Sequence, residues 1–131
     1  PAPRAMQAPD FQSALELKSS YDAATHVLVV NLLIKDGFHA YAPGEEVGQP
    51  VQLTVGAQGG WRQEGSTRIP AGVVKDLGEL GKSTVLEGNV SLTTNVVGGT
   101  GNIEGRVRVQ ICTDAACDRP KDHPFSVATG G

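Results

Sequence analysis

The chain has 131 residues with 11 basic and 14 acidic side chains, a formal net charge of -3, and no two Lys or Arg residues adjacent. That length suits one domain with enough core to fold alone, and the charge pattern lacks the basic patch that a nucleic-acid binder needs. The longest apolar stretch, "VLVVNLLI" at 27–34, falls well short of the ~20 residues that span a bilayer, so direct membrane insertion of this segment is not expected.

The first ten residues, "PAPRAMQAPD", are rich in Pro and Ala and are expected to be a leader remnant or a linker, with a single domain over 11–131. Beyond them, 17 glycines and 8 prolines punctuate short segments rich in Val, Leu, Ile and Thr, which is the spacing of an all-β chain. "SALELK" sets Leu15 and Leu17 against Glu16 and Lys18, as a half-buried strand does. "HVLVVNLLIK" at 26–35 is apolar at both parities and reads as a central strand covered on both faces. "VQLTV" at 51–55 alternates again. Trp61 is expected to be a packing residue.

"AGVVKDLGELGKS" at 71–83 holds three glycines and is expected to be a loop with at most one helical turn. "VLEGNVSLTTNV" places Val90, Leu92, Thr94 and Val96 on one face, and "IEGRVRVQIC" sends Val107, Val109 and Ile111 inward, opposite Arg106, Arg108 and Gln110. The triplet Asn89, Val90, Ser91 forms a glycosylation sequon, but inside a strand. "PFSVA" closes the series. The pattern predicts an all-β, immunoglobulin-like β-sandwich of about seven to nine antiparallel strands.

The only two cysteines, Cys112 and Cys117, lie in "VQICTDAACDRP". By strand parity Cys112 shares the outward side of Arg106, Arg108 and Gln110, so its sulfur is expected to be reachable. The short polar "TDAA" suits a hairpin loop that brings the two cysteines opposite each other within disulfide range. A ring of about six residues removes little chain entropy, on the order of 2 kcal/mol. Three readings stay open on these grounds: an inert staple, a redox-active pair and a metal clip. The metal clip needs further ligands, and His26, His39 and His123 show no regular ligand spacing.

Three ordered segments resemble the N-terminal periplasmic domain of the thiol:disulfide interchange protein DsbD and its DsbD-alpha-like relatives. "DGFHAYAPGEEVGQP" at 36–50 is similar to that family's "DG(Y/F)xxY" segment and its Gly-x-Pro strand entry. "IPAGVVKDLGELGKSTVLEGNVSL" at 69–92 is similar to its cap loop and Gly-Lys-Ser run, and "VQICTDAACDRP" to "YQxCxxxxCxxP". The resemblance spans about residues 11–128 and implies an immunoglobulin-like fold, a periplasmic location and a place in a longer inner-membrane protein. It implies that Cys112 and Cys117 are the catalytic pair of a thiol:disulfide oxidoreductase with no cofactor or metal. Electrons would pass between a membrane-embedded donor domain or thioredoxin-like domains and oxidised envelope proteins, through transient mixed disulfides.

The resemblance also implies that Cys117, the more C-terminal cysteine, joins the partner and that Cys112 resolves. Asp114 and Asp118 beside the sulfurs are expected to raise the thiol pKa values and Arg119 to oppose them. The cap loop maps to "DLGELGK", Asp76 to Lys82, where Leu77 and Leu80 flank Glu79 in place of the bulky aromatic of some family members. Phe38 and Tyr41 map to aromatic walls, with His39 and Asp76 as polar neighbours. The competing reading is a non-catalytic immunoglobulin-like interaction or scaffold module with a structural hairpin disulfide.

Overall fold

The computed structural model describes residues 10–42, 49–76, 78 and 81–129. Its strands in chain order are β1 (Leu15–Asp22), β2 (Val27–Ile34), β3 (Ala40–Tyr41), β4 (Gln52–Val55), β5 (Arg62–Arg68), β6 (Val73–Asp76), β7 (Lys82–Leu86), β8 (Asn89–Val97), β9 (Ile103–Val109) and β10 (Lys121–Val127). One sheet runs β1-β2-β8-β5, a second β10-β9-β4 and a third β3-β7-β6. Every pairing among these strands is antiparallel. The architecture is an immunoglobulin-like sandwich, as expected.

The core lies between the first two sheets. Leu28, Val30 and Leu32 of β2 and Val90, Leu92 and Val96 of β8 meet Ile103, Val107 and Val109 of β9 and Phe125 and Val127 of β10, all buried. Val90, Leu92, Thr94 and Val96 face inward as their spacing predicts, and so do Val107, Val109 and Ile111. Trp61 packs in this core with its ring edge-on to Tyr21. At Gly105, opposite Phe125, a Cβ would run into the Thr54 carbonyl oxygen of β4 and come within 2.7 Å of the Phe125 ring, so this close approach of strand and ring requires glycine.

Three expectations are corrected. β2 is central, but only its even-numbered side is fully buried; Val27, Val29, Asn31 and Leu33 form a half-exposed outer face. Ser91 donates a 2.6 Å hydrogen bond to Asn31 across that face, the polar contact of a solvated surface. The stretch 71–83 is not simply a loop: Val73–Asp76 form β6, which pairs antiparallel with β7 from Lys82 onward. Its strand character was masked because Val73 and Val74 of β6 are exposed, so no apolar/polar alternation marks them. The strand number is ten among the described residues, above the seven to nine expected, because β3 has two residues and β5 is a polar edge strand with a register shift near Gly65.

Candidate redox site

β9 aims the chain at the site. After Val109 the backbone continues through Ile111, buried in the main core, to Cys112, whose side chain turns the other way. Cys112 and Cys117 face each other as an antiparallel pair, with Cα atoms 4.0 Å apart and their sulfurs joined. Main-chain bonds flank the pair on both sides, from Asp118 N to Ile111 O (2.9 Å) and from Thr113 N to Ala116 O (2.7 Å). This is the closely spaced, non-hydrogen-bonded type of pair, the one that brings side chains nearest. The Thr113 hydroxyl accepts from the amides of Ala115 (3.2 Å) and Ala116 (3.0 Å) and so fixes the tip.

The two sulfurs differ in access. Cys117 is exposed. Cys112 is 0 % exposed and packs with Tyr41 and Val85 in a small cluster separate from the main core. The expectation that Cys112 is reachable is therefore corrected. Parity does direct it away from the sandwich core, but the third sheet, β3-β7-β6, covers that outward face.

His39 and Cys112 form a further antiparallel pair, with reciprocal main-chain bonds of 2.9 Å in each direction. The His39 ring is fully buried and edge-on to Tyr41, with centroids 5.4 Å apart. Burial holds the His39 pKa below its ordinary value of 6.5, helped by Lys75 and opposed by Asp114 and Glu87. Burial first, and Asp114 second, raise the Tyr41 phenol above its usual range.

The acids beside the sulfurs are ion-paired with lysines. Lys75 of β6 reaches Asp114 at 3.0 Å and Glu87 at 3.4 Å, and its own pKa is raised chiefly by the Asp114 contact. Asp118 lies 2.9 Å from Lys121, whose hydrogen bond lowers the Asp118 pKa. Each of the two acids therefore has a lysine as its ion-pair partner, in addition to the nearby Arg119. Among the described residues no three His, Cys, Asp or Glu side chains gather as a metal site would require.

The model for the family "Thiol:disulfide interchange protein DsbD, N-terminal" matches residues 6–129. The chain belongs to this DsbD N-terminal family. No curated protein matches it in a sequence search. Among solved structures it resembles the DsbD N-terminal domain of Neisseria meningitidis in the reduced form, at 16% identity and a TM-score of 0.66, covering 92% of this chain and 89% of that one. It also resembles a structure of the complex between the DsbD N-terminal and PilB N-terminal domains of the same organism, at 18% identity and a TM-score of 0.62, over 91% and 88% of the two chains. The N-terminal periplasmic domain of ScsB from Proteus mirabilis aligns at 12% identity and a TM-score of 0.61, over 93% of this chain but only 49% of that one. At these identities the likenesses establish a shared fold.

Of the residues mapped from the DsbD family, the structure gathers Cys112, Cys117, His39 and Tyr41 in one place. Phe38 lies elsewhere, edge-on to Phe11 and against the main core. Asp76 is exposed at the end of β6, where its carboxylate accepts from the Gly78 amide at 2.9 Å. Leu77, Glu79 and Leu80 lie outside the described residues. Sequence reasoning missed Val85 and Lys75. Both belong to the β6–β7 hairpin, and only recognition of that hairpin would have shown that Lys75 shares a face with Val73 and Val85.

The histidines carry a pH prediction. His39 and His123 are both depressed below 6.5, with burial the largest cause for each. The unfolded chain therefore takes up protons near 6.5 before the folded one does, so stability is complete above that pH and falls on acidification through the lower folded values. The thermal midpoint of the oxidised domain is expected to drop between about pH 7 and pH 5, and to drop less in His39→Gln. A midpoint flat over that interval in the parent protein would contradict this.

Proposed function

We propose that this domain is a periplasmic thiol:disulfide exchange module in which the Cys112–Cys117 pair cycles between disulfide and dithiol. The observation that carries the reading is the unequal access of the two sulfurs in one short ring: Cys117 is exposed while Cys112 is fully buried. Exchange needs one sulfur that a partner thiolate can approach in line and a second that departs and later returns.

In the inward direction a partner thiolate attacks the Cys117 sulfur. The partner–Cys117 bond forms, the Cys117–Cys112 bond breaks, and its electron pair leaves on Cys112. A second thiolate of the partner then attacks its own mixed-disulfide sulfur and releases reduced Cys117. In the outward direction Cys117 attacks an oxidised acceptor, and Cys112 closes the ring and expels the acceptor's thiolate. Sulfur chemistry alone completes both directions, with no metal or organic cofactor.

The partners fitting this scheme are thioredoxin-like domains and a membrane-embedded donor domain. The complex of a related DsbD N-terminal domain with a PilB N-terminal domain supports recognition of a separate domain by this fold. The position of Cys117 at the exposed hairpin supports the order in which it meets the partner and Cys112 resolves.

The deciding measurement is the reduction potential of the couple, by equilibration with glutathione or dithiothreitol. A value above about -300 mV is expected, within the range of exchanging disulfides. A lower value, typical of inert secreted disulfides, would remove the basis for exchange and leave an immunoglobulin-like scaffold with a hairpin staple.

A further inference from the structure

The buried His39 ring has no task in the sulfur steps above, yet its surroundings are unusual. Both ring nitrogens, Nδ1 and Nε2, are buried and lack a hydrogen-bond partner. An unsatisfied buried donor costs on the order of 1–3 kcal/mol, so its retention calls for a physical reason. His39 is also the direct cross-strand partner of Cys112. In an antiparallel pair with reciprocal main-chain bonds the two Cα atoms lie about 5.5 Å apart and the side chains project from the same face. The imidazole and the Cys112 sulfur therefore share the compartment under the third sheet, with Tyr41 as a common neighbour.

We propose that His39 is the hydrogen-bond and proton partner of the Cys112 sulfur in the open-ring states, a role that rests on the exchange reading above. In the disulfide, Cys112 offers no proton and no charge, and the imidazole is left without a hydrogen bond. When a partner thiolate opens the ring, the electron pair of the broken bond resides on Cys112 in a site closed to water, where an uncompensated anion is costly. The neutral imidazole then supplies its N–H to the thiolate, and one proton taken up from solvent is shared between ring and sulfur. On the return step the imidazole accepts the Cys112 thiol proton, the thiolate attacks Cys117 and closes the ring, and the partner leaves as its thiolate.

The charged groups around this pair fit the role. Burial, and after it Lys75, favour the neutral ring in the oxidised state, while Asp114, whose carboxylate stands 4.0 Å from Nδ1, and Glu87 favour its protonated form. Tyr41, the remaining titratable neighbour, stays protonated because burial and Asp114 raise its pKa. The ring is thus set to change its proton affinity when a negative sulfur appears beside it.

The test follows ring closure from the glutathione mixed disulfide on Cys117 across pH, in the parent protein and in His39→Phe and His39→Gln. Phe keeps a buried ring without nitrogen; Gln keeps an N–H donor that does not titrate. Closure in His39→Phe is expected to slow about 10²-fold at neutral pH, and His39→Gln to keep part of the rate but lose the histidine limb of the pH profile. Closure of His39→Phe at the parent rate, or a parent pH profile in His39→Gln, overturns the proposal. Nitrogen NMR of the parent's His39 ring needs no substitution: its proton affinity should rise on reduction, and an unchanged titration overturns the proposal too. A parent couple poised below about -300 mV would instead defeat the exchange reading itself.

Discussion

With the disulfide reduced, Cys117 is expected to react with a small thiol-specific alkylating reagent at least about a hundredfold faster than Cys112, a protection equal to a local opening free energy of about 3 kcal/mol. The cause is the cover over Cys112, which does not depend on the sulfur–sulfur bond. Val85 and Tyr41 pack on Cys112 from the third sheet, and the reciprocal bonds between His39 and Cys112 hold its backbone to the strand that leads into β3. Lys75 adds a tether from β6 to Asp114 at the hairpin tip. That ion pair is partly exposed and worth at most about 1 kcal/mol, so most of the protection comes from packing.

The same asymmetry governs trapping. Cys112→Ala leaves the exposed sulfur without its resolving partner and is expected to accumulate a mixed disulfide with a thioredoxin-like domain. Cys117→Ala leaves a sulfur that the partner cannot reach and should accumulate little. Equal alkylation rates, or equal trapping by the two variants, would show that the buried position of Cys112 is lost on reduction and that the order of attack has no structural basis.

Much of the sandwich was legible because its inner faces follow simple alternation. Leu28, Val30 and Leu32 on β2, Val90, Leu92 and Val96 on β8, and Val107 and Val109 on β9 each repeat every second residue, and each is buried. The site was legible only to the extent that one strand could carry it. Parity turned Cys112 away from the core correctly, but exposure is a property of what lies on top. What covers it is the third sheet, through Tyr41 of β3 and Val85 of β7, and the edge strand of that sheet, β6, has no alternation to betray it, since Val73 and Val74 are 56% and 67% exposed. Reading 71–83 as a loop therefore hid three things together: the cover on Cys112, the packing role of Val85 and the reach of Lys75 to Asp114. His39 could be placed near the sulfurs by resemblance, yet its unpaired nitrogens follow from a pairing with residue 112 that lies 73 residues along the chain and has no local signal.

Opening the ring is expected to lower the domain's unfolding free energy by about 2 kcal/mol, whereas Leu92→Ala in the oxidised domain is expected to lower it by about 2–5 kcal/mol. Denaturant unfolding of the oxidised, reduced and Leu92→Ala proteins gives both values. The first is small because the ring closes only a short loop between Cys112 and Cys117, five positions apart, and so restrains few conformations of the unfolded chain. The second is large because Leu92 is fully buried in the sandwich core, where truncation leaves a cavity that the flanking strands cannot collapse to fill. The separation is also spatial: Cys112 packs in its own cluster with Tyr41 and Val85, apart from the core residues that hold the two sheets together. An exchange module must stay folded in both redox states, and this division allows it. If reduction cost about 4 kcal/mol or more, well beyond what closing so short a loop can supply, or unfolded the domain, the bond would be a staple of the fold, and repeated opening would be incompatible with a folded shuttle.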